Sequence, residues 1–130
     1  MSLEWKISHP DRLVIATAEG TLTPAEIEHY LDDVVTSDAL VYRKIFDVTQ
    51  AVFQTSDDEM MALGARIRAY PAFGRLGPLA IVVASEQSRW QARMFSQLAE
   101  VDRPLKIFRT VGAARKWLDA QPDVSPSAKL

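Results

Sequence analysis

The residues Leu79-Ala80-Ile81-Val82-Val83-Ala84 form an unbroken aliphatic run, closed by Gly77-Pro78 on one side and Ser85 on the other. Such a run is too short for a buried helix and carries β-branched side chains, so it reads as a strand covered on both faces. A strand of that kind is found in a sheet flanked by helices, and the rest of the chain must supply amphipathic helices as crossovers. It does. Thr23-Pro24-Ala25-Glu26 is a capping box with proline at the first helical position, followed by Ile27, Tyr30, Leu31 and Val34 at helical spacing. Ser56-Asp57-Asp58-Glu59 repeats the box before Met60, Leu63, Ile67 and Tyr70, and Pro71 ends that helix. Ser85 opens a third helix whose Trp90, Met94, Phe95 and Leu98 are expected to face inward, with Glu86, Arg89, Arg93 and Gln97 outward. Thr110 opens a fourth with Ala114, Trp117 and Leu118 apolar.

The remaining extended runs are Glu4 to Ser8, Arg12 to Ala18, Tyr42 to Val48 and Leu105 to Phe108. His9-Pro10-Asp11 joins the first two as a hairpin, and Leu13, Val14 and Ile15 suggest burial on both faces. Thr49 to Thr55 reads as a loop that carries Phe53. The order is ββαβαβαβα, an α/β fold built on a single mixed, mostly parallel sheet with flanking helices. With 48% apolar and 25% charged residues in 130, one core suffices. Residues 1–120 are expected to form one domain, and 121–130, with Pro122 and Pro126, a flexible C-terminal tail.

A net charge of -2 offers no global positive field, which disfavours nucleic acid as a partner. The absence of cysteine removes disulfides, thiolate metal sites and cysteine nucleophiles, and a reducing, cytoplasmic setting is expected. No apolar run approaches the ~20 residues of a membrane span. The ending Ala128-Lys129-Leu130 resembles a peroxisomal address, although three-residue endings recur by chance.

In an open parallel sheet, ligands collect at the carboxyl ends of the strands, where helix N-termini offer unpaired N–H groups. Ser56, Ser85 and Thr110 gather there, each also sufficient as a cap. Asp57, Asp58 and Glu59 have the chemistry of paired carboxylates, and the helix dipole accounts for acids in a first turn equally well. His9 and His29 have no ligand-spaced partner, so no metal and no cofactor is expected. Arg66, Arg68, Arg75, Arg89 and Arg93 either frame an anion or a partner's acidic patch, or form a solvated face.

The strand Ile45-Phe46-Asp47-Val48-Thr49, the loop after it and the helix opening at Ser56 resemble the central segment of STAS (anti-sigma-factor antagonist) domains. From Trp5 to Leu118 the chain is similar to small bacterial STAS-like/SEC14-like proteins of uncharacterised function. Ala18-Glu19-Gly20, Phe46-Asp47-Val48 and Ile81-Val82-Val83 followed by Trp90 and Phe95 carry that likeness. In regulatory STAS domains the resemblance implies a serine switch in an Asp-Ser-Ser-Gly segment. Here the matching residues are Thr55-Ser56-Asp57-Asp58, so Asp57 stands at the phosphorylated position and the glycine is missing. A fixed acid then replaces the added charge.

Two readings follow. The first is a non-catalytic regulatory or scaffold domain that binds a protein partner at the N-termini of the second and third helices, through Ser56, Asp57, Ser85, Arg89 and Arg93. The second, implied by the SEC14-like side of the resemblance, is a carrier of a small apolar, lipid-like ligand. Its pocket would be lined by Phe53, Met60, Trp90, Met94 and Phe95 at the carboxyl edge of the sheet. An enzyme is the least supported reading, because no catalytic constellation stands out. The hairpin strand Glu4 to Ser8 leaves a sheet edge that could pair in a homodimer.

Overall fold

The computed structural model describes residues 2–122; the expected tail from 123 onward and the Ala128–Leu130 ending lie outside the described residues. Five strands form one sheet in sequential order, β1 (Leu3–Ser8), β2 (Leu13–Leu22), β3 (Arg43–Phe53), β4 (Leu79–Val82) and β5 (Leu105–Phe108). β1 pairs antiparallel with β2, and the other pairs are parallel. The helices are α1 (Pro24–Thr36), α2 (Asp57–Arg68), α3 (Glu86–Leu98) and α4 (Val111–Asp119), with a 3-10 turn at Tyr70–Phe73. The expected ββαβαβαβα order is the observed one.

Each crossover adds its strand on the same side of the last, so right-handed connections place α1, α2 and α3 on one face. That face buries Val14, Ala16, Ala18, Leu22, Tyr30, Val34, Leu63 and Ile67 in one cluster. On the opposite face α4 alone covers Leu13, Ile45, Ala80 and Val82 with Ala114 and Leu118, while Trp117 packs on Phe108. α4 covers only the β3–β5 half. Over β2 the reverse face is open, and Ile15 is 36% exposed there, against the expectation of burial on both sides.

Two strands run further than their local patterns predict. β2 continues through Gly20 to Leu22, and the expected loop after Val48 is strand to Phe53. Beyond Asp47↔Val82 this extension pairs, among the described residues, with β2 alone, in the register Glu19↔Gln50 to Leu22↔Phe53. A register shift between Thr17 and Glu19 and a left-handed φ of 77° at Gly20 admit it. Phe53 and Ala51 are thereby turned under the helices, and Val52 is turned to solvent with 60% exposure.

Candidate functional site

Between the sheet and the three helices of its first face lies a cavity of about 100 Å³. Native interiors rarely leave a void larger than a water molecule, so this one calls for an explanation. Its walls are apolar: Leu22 from β2, Tyr30 and Val34 from α1, Phe46, Val48 and Phe53 from β3, Ile67 from α2, and Ala92 and Phe95 from α3. The lining residues of the β3 extension and of α3, namely Val48, Ala51, Phe53, Ser88, Gln91 and Phe95, retain partial exposure, which puts the mouth at the carboxyl edge. Gln91 ties the two rims together, its Nε2 donating to the Phe53 carbonyl at 3.0 Å.

The opposite end is polar and basic. Lys44 sits on β3 two residues before Phe46, and strand alternation turns it to the same inner face. It is 5% exposed, and its Nζ donates to the carbonyls of Leu40 (2.5 Å) and Tyr42 (2.7 Å). Arg103, in the loop before β5, reaches the same end and donates from Nη1 to the Gly77 carbonyl at 3.5 Å. Its Nε is buried with no hydrogen-bond partner among the described residues, as is the hydroxyl of Tyr30. The Tyr30 ring is fixed by edge contacts with Trp5 and Phe46, 5.5 and 5.4 Å between centroids. Arg103 also borders a shallow groove that holds Ser96, Glu100 and Leu105.

Burial sets the electrostatics. It pushes Lys44 well below the ordinary lysine pKa, with the nearby Arg103 charge adding to the effect. Burial also lowers Arg103 to about 10, opposed by Tyr30, and raises the Tyr30 phenol. No aspartate, glutamate or histidine among the described residues lines the cavity. Among the described residues, neither Lys44 nor Arg103 has an ion-pair partner.

The two sets of expected site residues divide. Phe53 and Phe95 line the cavity. Met60 is buried beneath α2 and Met94 is half-buried, but neither reaches the lining. Trp90 corrects the sequence reading: it is 60% exposed on the outer side of α3, and Ala92 and Phe95 take the inward positions. Ser88 and Gln91 share that inward stripe, so the helix presents a mixed face to the cavity, and the wholly apolar stripe read from the sequence was one position out of phase.

Ser56 caps α2, its Oγ accepting the Glu59 N–H at 3.1 Å while Glu59 accepts the Ser56 N–H at 2.9 Å. Ser85 caps α3 by accepting the Ser88 N–H at 3.0 Å. Asp57 and Arg93 are exposed and Arg89 is half-buried. The five arginines do not form one surface, since Arg66 turns to α1, where it pairs with Asp32, and bonds the Tyr70 hydroxyl at 2.8 Å. No helix among the described residues is long and apolar enough to cross a membrane.

No family model matches the chain, and no curated protein matches it at a significant level. Among solved structures it is similar to an uncharacterised protein of the DUF3478 family with a SpoIIAA-like fold from Shewanella loihica PV-4. The identity is 18%, the TM-score 0.58, and the match covers 89% of this chain and 91% of the other. The fold is SpoIIAA-like. That is the STAS-like architecture expected from the Phe46-Asp47-Val48 strand and the Ser56 helix, now carried by the whole chain. In this SpoIIAA-like fold the β2–β3 extension forms the cavity's outer wall, and the turn from Leu40 to Tyr42 supplies the carbonyls at its basic end.

Proposed function

We propose that the protein binds and carries a small, largely apolar ligand in the cavity beneath α1, α2 and α3. The observation that carries this reading is the cavity itself, about 100 Å³ lined mainly by aliphatic and aromatic side chains, where protein interiors are ordinarily close-packed. Its mouth lies between the β3 extension and α3, at the edge where open α/β sheets take their ligands. Native mass spectrometry of protein purified gently from its own host is expected to show a bound mass that is lost on denaturation, and the same spectrum reads the oligomeric state left open by the β1 edge. Ala92→Phe, which places a ring in the void, is expected to abolish that mass while the variant stays folded. A bare chain from the wild type, under conditions that preserve other non-covalent complexes, would end the carrier reading.

A second reading, a protein-binding domain, draws support from the exposed Trp90 on α3 beside Arg89 and Arg93, and from the exposed Asp57 at the start of α2. Exposed tryptophan and arginine are the residue types that anchor interfaces. Under this reading, crosslinking in the host captures one partner with the wild type, and Trp90→Ala with Arg93→Ala loses it. Equal capture by the double variant would remove Trp90 and Arg93 as the anchors.

A further inference from the structure

The basic end of the cavity holds three groups whose hydrogen-bonding capacity the fold leaves incomplete. The Tyr30 hydroxyl and the Arg103 Nε are buried and unpartnered. Lys44 gives two N–H donors to the Leu40 and Tyr42 carbonyls, and an ammonium has a third. Each unsatisfied buried donor costs about 1–3 kcal/mol, and an unpaired buried cation costs more. Basic groups converge on the cavity, and among the described residues no acidic side chain answers them there. An anion entering from the apolar side would complete all three at once.

Resting on the carrier reading above, we propose that the ligand is a small amphipathic monocarboxylate, its head held by Tyr30, Lys44 and Arg103 and its tail lying along Phe46, Phe53 and Phe95 toward the mouth. Size limits the tail. An apolar cavity of ~150 Å³ accommodates the six carbons of benzene, so about 100 Å³ suits a tail of roughly four to five carbons, as in pentanoate or hexanoate. Charge limits the head. A dianion would bring a second charge, and a larger hydration cost, into walls that are otherwise apolar.

Lys44 gives the site a signature that apolar binding lacks. Burial lowers the pKa of its amine, and a carboxylate arriving beside it supplies the missing counter-charge and raises that pKa again, so binding is coupled to proton uptake and the third N–H turns to the ligand. The other titratable groups lining the cavity are Tyr30 on α1, Tyr70 after α2 and Arg103 before β5, with no histidine or acid among them. Burial raises the Tyr30 phenol and lowers Arg103 only to about 10, so both stay protonated at neutral pH.

The test titrates purified protein with hexanoate, hexanamide and hexyl phosphate by calorimetry, in two buffers of different ionisation enthalpy. Hexanoate is expected to bind about tenfold or more tighter than hexanamide, the worth of a charge-assisted hydrogen bond, with proton uptake. Its affinity is expected to fall as pH rises from neutral toward the ordinary lysine value of 10.5. Arg103→Gln, Lys44→Met and Tyr30→Phe, each verified as folded by circular dichroism, are expected to reduce hexanoate affinity by a larger factor than hexanamide affinity, since only the carboxylate makes charge-assisted bonds there. Equal binding of hexanoate and hexanamide, or tighter binding of hexyl phosphate, overturns the carboxylate assignment and leaves the carrier reading in place. If none of the three probes binds and a host-derived mass is also missing, both fail together.

Discussion

As pH rises toward the ordinary lysine value of 10.5 the ligand-free protein is expected to become harder to unfold, with a slope of at most ~1.4 kcal/mol per pH unit that disappears in Lys44→Met. The cause is the buried amine. In the unfolded chain Lys44 has the ordinary value of 10.5, whereas in the folded protein burial, aided by the Arg103 charge, holds it well below. Between those values the unfolded chain binds a proton that the folded protein does not, so lower pH favours unfolding. The penalty disappears as pH approaches 10.5. Arg103, lowered to about 10, contributes in the same direction only above that pH, and the raised phenol of Tyr30 opposes it there, so the window below about pH 10 isolates Lys44. Methionine keeps the apolar stem and leaves the Leu40 carbonyl bonded to the Gly77 N–H at 2.9 Å. The variant is therefore expected to be at least as stable as the wild type near neutral pH, by about 1 kcal/mol. Urea unfolding across the pH series checks it, and the same slope in wild type and variant would show that Lys44 is charged in the folded state.

The sequence was legible where local chemistry decides the structure. The aliphatic run from Leu79 had to be a covered strand, and the capping boxes at Thr23 and Ser56 begin helices at the expected residues. Where a distant pairing decides, the local pattern misled. Gln50 to Phe53 is strand because Glu19 to Leu22 lies beside it, and nothing within Thr49 to Thr55 announces that partner. The phase of α3 was misread because the cavity lets Ser88 and Gln91 face inward, which weakens the apolar stripe that would otherwise exclude Trp90 from the inner face. Lys44 had a usable signal: alternation with Phe46 and Val48 puts a charged residue on the inner face of a central strand, a conflict that marks function more often than error. Arg103 had none, since a loop arginine before Pro104 looks like any solvated one. Half of the candidate site was thus readable in principle, and the half that depends on loops closing over the sheet was not.

Gly77→Ala is expected to be the most damaging small substitution at the site, lowering stability by about 3 kcal/mol and the melting temperature by roughly 10 °C. A Cβ at Gly77 would run into the carbonyl oxygens of Val41 and Tyr42, and these are backbone atoms that cannot swing aside. The same glycine donates its N–H to the Leu40 carbonyl and accepts Arg103 at its own carbonyl. The Leu40–Tyr42 turn that holds the Lys44 amine therefore rests directly on Gly77, and moving the turn far enough to admit a methyl group displaces both cations of the cavity. Stability and hexanoate affinity are accordingly expected to fall together in Gly77→Ala. By contrast, Gly112→Ala, at the start of α4 with nothing within 4 Å of its added Cβ, is expected to leave binding intact and to raise stability by up to ~1 kcal/mol through helix propensity. Thermal unfolding and calorimetry on the pair separate the two effects: normal hexanoate binding by a destabilised Gly77→Ala would show that the turn is not what positions Lys44.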